Sequence, residues 1–465
     1  MGISFNASAE ALKVGAEQFD AYVPLLTDKR VALVVNQSAL VSYPEPLNSL
    51  DATPNSADSH GVSSSSSGTQ HLLDALLNRN INVVSIMSPE HGFRGDKDAG
   101  EKVDSNTDIQ TGLPIHSLYG TTKKPTAAML ENIDTVVFDI QDVGVRFYTY
   151  LSTLHYVIEA AFEQGIDVIV LDRPNPNIAY VDGPILTPPF TSFIGMHPIP
   201  VLHGMTLGEL ANMIVGEGWL GTDKRAKLTI VPVANYTRTT SYSLPTAPSP
   251  NLPNDSAIRL YPTLCFFEGT SVSIGRGTDL PFQLIGHPIA KLGSSRIEVN
   301  ANRGASNPKH KDRTLFAKIL APEPNVLDSY DTEFSHLKNT KTEKQISTLK
   351  AEKSASPKPS SKELKTDDKY AEKAALKNTK LSSISGLHIQ TLLDTFNMVK
   401  PTGEPFFTRP HFFDKLAGSS SLRESILAGK NADEIHATWQ AGLVNFKAQR
   451  EPYLLYSEHT LHDSK

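Results

Sequence analysis

The stretch Ile81-Asn-Val-Val-Ser-Ile-Met-Ser-Pro-Glu-His-Gly-Phe-Arg-Gly95 joins an apolar run to an abrupt polar turn. The run from Ile81 to Met87 is short and rich in β-branched residues, which predicts a buried strand. Pro89 cannot extend a hydrogen-bonded ladder, so we expect the strand to end beside it. Three chemically active side chains are therefore delivered together at the carboxyl end of a strand: Glu90, His91 and Arg94.

Three further apolar runs, at 31–35, 135–138 and 167–171, also end in polar side chains. Predicted helices at 70–78, 127–132 and 150–164 separate the runs. This alternation favours an α/β fold with a parallel sheet covered on both faces. Because right-handed crossovers place the carboxyl ends of parallel strands at one edge, the polar side chains share one rim, where ligands bind. They are Asn36, Gln37, Asp139, Asp142, Arg146, Tyr148, Arg173 and Asn175.

Any one of these side chains can equally be structural, since Asp and Asn also cap helices. Glu90 and its neighbours can likewise be a polar turn with a surface salt bridge. A common functional role is favoured because four strands end in the same way. Carboxylates together with many hydrogen-bonding groups suit acid–base chemistry on a polar substrate such as a sugar.

Composition excludes several classes of protein. The chain has 465 residues, enough for two or three domains, and its net charge of −6 gives no basic footprint for nucleic acid. No apolar run approaches the length of about 18 residues that spans a bilayer. The first residues lack the pattern of a signal peptide. The sequence therefore fits either a cytoplasmic protein or an exported one whose leader has been removed.

The sequence predicts neither a metal nor a cofactor. Cys265 is the only cysteine and lies in an apolar run, so we expect it in the core. The histidines lack metal-ligand spacing, and the remaining candidates for a metal site are His91, His116, His155 and His203. Phosphate-binding glycine loops and the Gly-x-Ser-x-Gly elbow of serine hydrolases are also missing from the sequence.

We predict two domains, each with an insertion. The first covers residues 1–220 and contains a flexible Ser-rich loop at about 42–68. The second, smaller and of α+β type, covers residues 221–465 and contains a Lys- and Ser-rich insertion at about 305–381, expected to be disordered or loosely helical. A helix at 206–216, opened by a capping box of Thr206 and Glu209, is predicted to end the first domain, and a helix at 432–450 lies near the end of the second. In the second domain Glu268 and Arg276 flank a glycine-rich segment. They either pair to stabilise this loop or face the rim of the first domain and close a cleft.

Ten short segments, in order along most of the chain, resemble those of one family. They are Asn36-Gln37, Ser88–Gly95, Phe138–Tyr148, Leu171–Pro176, Asp182–Pro184, His203–Thr206, Pro248–Pro253, Glu268–Thr270, Gly275–Thr278 with Pro281-Phe282, and Tyr453–Tyr456. The family is that of the exo-β-N-acetylmuramidases of the NamZ type, formerly described only as a domain of unknown function. The two insertions depart from the compact pattern of that family.

The resemblance implies a Rossmann-like first domain, a smaller second domain and a cleft between them. It implies cofactor-independent hydrolysis of terminal β-1,4-linked N-acetylmuramic acid from the non-reducing end of peptidoglycan fragments, and a periplasmic or secreted location. Glu90 matches the glutamate of the family's Glu-His-Gly motif and would be the general acid/base, so we expect it in a partly desolvated pocket. His91, Arg94 and Arg146 would position it or bind substrate.

The second catalytic group stays open among Asp139, Asp142, Tyr148 and Glu268, and the 2-acetamido group of the substrate is a further possibility. If the strand at 31–35 lies between those at 81–87 and 135–138, Glu90 and Asp139 are roughly 9–10 Å apart. This distance does not distinguish a retaining from an inverting mechanism. For the lactyl carboxylate of muramic acid, Arg173 or Arg276 would supply a bidentate fork. The remaining substrate-binding candidates are Asn36, Gln37 and Asn175.

Two other functions remain compatible with this sequence. One is a non-catalytic muropeptide-binding protein, and the other is a hydrolase of another sugar ester on the same fold, because a fold does not determine chemistry.

Overall fold

The computed structural model describes residues 11–43, 68–93, 106–321 and 383–458, and a seven-stranded sheet lies at its centre. Strands β1 to β9 span, in chain order, Val31–Val35, Leu40–Tyr43, Gly68–His71, Val83–Ser88, Asn106–Thr107, Pro114–Ser117, Thr135–Asp139, Asp167–Leu171 and Leu228–Val231. The central sheet has the order β5-β6-β4-β1-β7-β8-β9. Adjacent strands in this sheet are parallel except β5, which is antiparallel to β6. Strands β2 and β3 form a separate antiparallel ribbon. The predicted α/β fold is therefore confirmed.

The strand order places the carboxyl ends of the apolar strands side by side. Strand β1 lies between β4 and β7, and Val35 at its end pairs with Asp139. Every residue of β1 and β7 is buried, as expected for strands covered on both faces. The loops after β4 and β7 therefore leave the sheet at the same edge.

Helices α1 to α4 span Phe19–Leu26, Leu72–Leu77, Tyr150–Glu163 and Leu207–Gly216. Helix α4 begins with the predicted capping box: the hydroxyl of Thr206 accepts from the amide of Glu209 at 3.2 Å, and the Glu209 carboxylate accepts from the amide of Thr206 at 3.0 Å. Helix α2 is shorter than predicted because residues 68–71 belong to β3, and the predicted helix at 127–132 is a 3-10 turn, Ala127–Leu130.

The C-terminal half adds helices and a small antiparallel sheet. Helices α5 to α10 span Asp255–Leu264, Ile389–Val399, Pro410–Ala417, Ser421–Leu427, Ala432–Ala437 and Gln440–Arg450, and a 3-10 helix of Cys265–Gly269 follows α5. Strands β10 to β12, Leu284–His287, Ser295–Val299 and Arg313–Ile319, have the order β10-β12-β11. The described residues up to 321 and from 385 onwards belong to one compact unit. Among the described residues, none of the helices could serve as a transmembrane span.

Three elements differ from the sequence-based expectations. Strand β9, assigned to the second domain, pairs with β8 and extends the central sheet beyond residue 221. The insertion was predicted to begin at 305, but residues 313–319 form β12, the central strand of the antiparallel sheet. Leu315 and Ala317 of this strand are buried, as alternate residues on one face of a sheet are. The single helix predicted at 432–450 is two helices, α9 and α10, separated by Thr438 and the buried Trp439. Residues 44–67 and 322–382, most of the two predicted insertions, lie outside the described residues.

Candidate active site

A cavity of about 680 Å³ lies at the carboxyl ends of β4 and β7. The loop after β4 contributes Glu90 and His91, and the loop after β7 contributes residues 147–150. The C-terminal half of the chain supplies Glu268, Arg276, Lys309 and Arg409, and Lys123 is a further charged residue of the lining. The volume is that of an ordinary small-ligand site, and its lining mixes aromatic rings with a few charged groups.

Glu90 is half-buried and receives hydrogen bonds from two hydroxyl groups that also line the cavity. The hydroxyl of Thr149 donates to its Oε2 at 2.8 Å, and the phenol of Tyr119 also bonds to its carboxylate. Burial and the charge of Glu90 raise the pKa of Tyr119, so this phenol stays protonated and can donate. His91 is buried at a φ of 73°, a left-handed conformation that is unusual for a side chain with a Cβ. The sharp turn leaves Glu90 exposed to the cavity.

Tyr148 and Tyr150 form an aromatic wall that is fixed by hydrogen bonds. Their ring centroids are 4.8 Å apart, and both hydroxyls donate to the carbonyl of Pro248, at 3.0 and 3.3 Å. The amide of Asn36 donates to the oxygen of Tyr150 at 2.9 Å, and that of Gln37 donates to the carbonyls of Ala247 and Pro248. Tyr148 thus reaches the cavity, whereas Asn36 and Gln37 are absent from its lining and support its wall.

Glu268 and Arg276 form an ion pair, as one of the two sequence-based interpretations expected, and both side chains line the cavity. The Nε of Arg276 donates to Oε1 of Glu268 at 2.7 Å, and each side chain is about a quarter exposed. Burial alone would raise the pKa of Glu268, but the charges of Arg276 and Lys309 outweigh that effect and lower it. Glu268 is therefore an ionised carboxylate at neutral pH.

Asp139 and Arg173 form a fully buried ion pair away from the cavity. The Nε of Arg173 donates to Oδ1 of Asp139 at 2.5 Å and its Nη2 donates to Oδ2 at 2.9 Å. The Nη2 group also donates to the carbonyl of Leu40 at 2.9 Å. Neither side chain lines the cavity, so their predicted roles in catalysis and in substrate binding gain no support from their position.

Arg146 and Asn175 are buried and donate to main-chain carbonyls. The Nη1 of Arg146 donates to Pro184 and Ile199 at 2.7 and 2.6 Å, and its Nη2 donates to Leu416 at 2.8 Å. Burial lowers the pKa of Arg146 to about 9. The side chain of Asn175 donates to the carbonyl of Met205 at 2.9 Å. These two side chains join loops rather than line the cavity, and Arg94 lies outside the described residues.

Asp142 is also buried outside the cavity lining, and its carboxyl group is poorly solvated. Its Oδ1 accepts from the amide of Gly144 at 2.6 Å, while its Oδ2 has no partner among the described residues. Burial raises the pKa of Asp142 to about 7. The folded protein therefore holds a proton on Asp142 at a pH where the unfolded chain has lost it.

We expect Asp142→Asn to stabilise the protein increasingly as the pH rises. Because the pKa of Asp142 is higher in the folded state, wild-type stability falls between about pH 4 and pH 7, and the amide avoids that loss. The advantage of the variant should grow by about 2–3 kcal/mol between pH 5 and pH 8. Urea unfolding of both proteins at the two pH values measures it, and an unchanged difference would show that Asp142 does not titrate between the two values.

Sequence reasoning missed several residues of the cavity. Lys309 lies in the predicted insertion, yet its ammonium group donates to the carbonyls of Phe267, Thr270 and Val272 at 2.9, 2.5 and 2.9 Å. Arg409 lies in none of the matched segments and follows residues 322–382, which are outside the described residues. Thr149, by contrast, directly follows the matched segment Phe138–Tyr148, and its position was available as a signal.

The described residues offer no cluster of three side chains that could hold a metal ion. Among the four histidines considered, His91 lines the cavity, whereas His155 is hydrogen-bonded to His197 at 2.9 Å.

Comparison with known proteins identifies the family. The family described as "Exo-beta-N-acetylmuramidase NamZ, N-terminal" matches residues 59–256 of this chain. The family of the corresponding C-terminal region matches residues 259–456. This chain belongs to the NamZ family. It is 36% identical over 388 residues to the peptidoglycan β-N-acetylmuramidase NamZ of Bacillus subtilis strain 168, with 82% of this chain and 81% of the relative aligned.

Two solved structures of Bacteroides fragilis proteins, both described as DUF1343 family proteins, share the NamZ fold of this chain. One has a TM-score of 0.72 and 37% sequence identity, with 97% of this chain and 100% of that chain covered. The other has a TM-score of 0.62 and 25% identity, with 96% and 99% covered.

Proposed function

We propose that this NamZ-family protein is an exo-acting glycoside hydrolase that releases terminal β-1,4-linked N-acetylmuramic acid from the non-reducing end of peptidoglycan fragments. The observation that carries the proposal is the position of Glu90, which faces a sugar-sized cavity between two hydroxyl donors. Family membership and the Bacillus subtilis relative supply the substrate class.

Glu90 is the proposed general acid/base. As an acid it gives its proton to the glycosidic oxygen while the bond from that oxygen to the anomeric carbon breaks. As a base it then takes a proton from the water that attacks the sugar. Thr149 and Tyr119 donate to the ionised carboxylate, so they hold it in place after the first proton has left.

Glu268 is the proposed second carboxylate. Among the described residues that line the cavity, Glu90 and Glu268 are the two carboxylates, and the lowered pKa of Glu268 keeps it ionised. It cannot supply a proton near neutral pH, but its charge suits stabilisation of the positive charge that develops on the sugar ring. Asp139, already paired with Arg173 inside the protein, is the weaker candidate for this role.

Release of p-nitrophenol from p-nitrophenyl β-N-acetylmuramide, measured with EDTA present, tests the proposal. We expect turnover of this substrate and at least a hundredfold lower rate with the N-acetylglucosamine analogue. On unlabelled glycan chains, the expected product is free N-acetylmuramic acid from the first time point, as exo-action requires. Binding of muropeptides by the folded protein without turnover would instead indicate a muropeptide-binding protein.

A further inference from the structure

We infer that Arg276, Lys309 and Arg409 form a carboxylate subsite in the cavity, and that it binds the lactyl carboxylate of the muramic acid residue. This inference rests on the proposed function and extends it, because it assigns the side chains that distinguish muramic acid from its neutral counterpart, N-acetylglucosamine. The three cations line the cavity together with Glu268.

The charge of this cluster is the first argument. The charges of Arg276, Lys309 and Arg409 all act on Glu268, and all four residues line the same cavity, so three cations share one carboxylate there and leave an excess of positive charge. Arg276 and Lys309 are partly buried, so solvent screens their charges less than it screens those of exposed surface cations, and they attract an anion more strongly. A sugar with a single carboxylate supplies the missing negative charge.

The availability of donors is the second argument. All three ammonium protons of Lys309 are used on the carbonyls of Phe267, Thr270 and Val272, so Lys309 contributes charge and fixes the segment that carries Glu268. Arg276 uses its Nε on Glu268, and its two Nη groups have no hydrogen-bond acceptor among the described residues. Those Nη groups form a fork that matches a carboxylate.

Arg409 is the third cation of the subsite. Its amide donates to the carbonyl of Gly269 at 2.9 Å, which ties the start of α7 to the residue that follows Glu268. Its guanidinium lies 4.2 Å from the ring centroid of Phe412 and is exposed. The guanidinium of Arg276 lies 5.0 Å from the ring centroid of Phe282. Aromatic rings therefore support both guanidinium groups and leave their edges for a ligand.

A pair of substrates that differ in charge alone tests the subsite. One is p-nitrophenyl β-N-acetylmuramide, and the other is the methyl ester of its lactyl group, which has nearly the same shape. We expect the wild-type protein to favour the acid in kcat/KM. Arg409→Gln should lower kcat/KM for the acid by about 10- to 100-fold, the effect of one charge-assisted hydrogen bond, with a much smaller change for the ester. Arg276→Gln also removes the hydrogen bond to Glu268, so both substrates should lose activity and the acid should lose more.

Lys123 is the matched control, because it also lines the cavity but lies 4.6 Å from the ring centroid of Phe193, outside the cluster around Glu268. Lys123→Gln should leave the ratio of acid to ester unchanged, and Arg409→Lys should restore part of the preference. An equal loss on both substrates in the arginine variants, or a wild-type ratio near one, would overturn the subsite.

A binding measurement separates this inference from the proposed function. If the folded wild-type protein hydrolyses neither substrate, the proposed function fails, and calorimetric titration with N-acetylmuramic acid and N-acetylglucosamine still decides the subsite. Tighter binding of the muramic acid, lost in Arg409→Gln, would support it. Equal binding of the two sugars would contradict it.

Discussion

Replacement of Glu90 by glutamine is expected to lower kcat on p-nitrophenyl β-N-acetylmuramide by about 10²- to 10⁴-fold, the usual contribution of a general acid/base. Glutamine keeps the shape of the side chain and can still accept from Thr149, so the fold and the cavity should persist. Steady-state kinetics, with a thermal unfolding curve to confirm the fold, make the measurement.

Thr149→Val is the matched control for Glu90→Gln. The Thr149 hydroxyl makes no capping bond to α3, so valine removes its hydrogen bond to Glu90 without weakening the start of that helix. We expect a loss of about tenfold, the value of a single hydrogen bond to a charged group. If Glu90→Gln were to lose no more than Thr149→Val, Glu90 would not be the proton donor.

Asp139→Asn is expected to lower the free energy of unfolding by about 3–5 kcal/mol, because it leaves the charge of Arg173 buried without a counter-ion. Both side chains of this pair are almost completely buried, at 0% and 2% exposure. Urea unfolding monitored by circular dichroism measures the loss, and activity should be measured at a temperature where the variant is still folded.

The double variant Asp139→Leu with Arg173→Met tests the cause of that instability. Removal of both charges at once should recover most of the stability, since a buried ion pair contributes little beyond an apolar pair of similar volume. A fully stable but inactive Asp139→Asn protein would argue the opposite, namely that Asp139 acts in catalysis as the strand-end pattern predicted.

Asp139 and Arg173 show which parts of the fold and the site could be predicted from the sequence. Apolar β-branched runs and the turns after them are local signals, so the sheet and the polar groups along its edge were predictable. Strands β7 and β8 are neighbours, however, and side chains at their ends can reach each other across a single strand spacing. The sequence places opposite charges at one edge but does not say whether they face a ligand or each other.

Lys309 is a residue of the cavity that could not be predicted from the sequence. Its segment is polar and joins the Lys- and Ser-rich insertion, so composition favoured a solvated loop. Its contacts are with residues about 40 positions earlier in the chain, and hydrophobic periodicity carries no information on such long-range polar contacts. Arg276, by contrast, was recognisable because it lies within a glycine-rich segment of a family motif.

The hydrogen bonds of Arg146 have a consequence for the order in which the protein is made. Its guanidinium joins carbonyls that follow it by 38, 53 and 270 residues, the last of them in α7. A ribosome releases the parallel sheet long before Leu416 emerges, and until then this cation lacks one of its three acceptors. We therefore expect the nascent chain to hold a formed sheet without a finished binding cavity, so that hydrolytic activity begins only after Leu416 has left the ribosome.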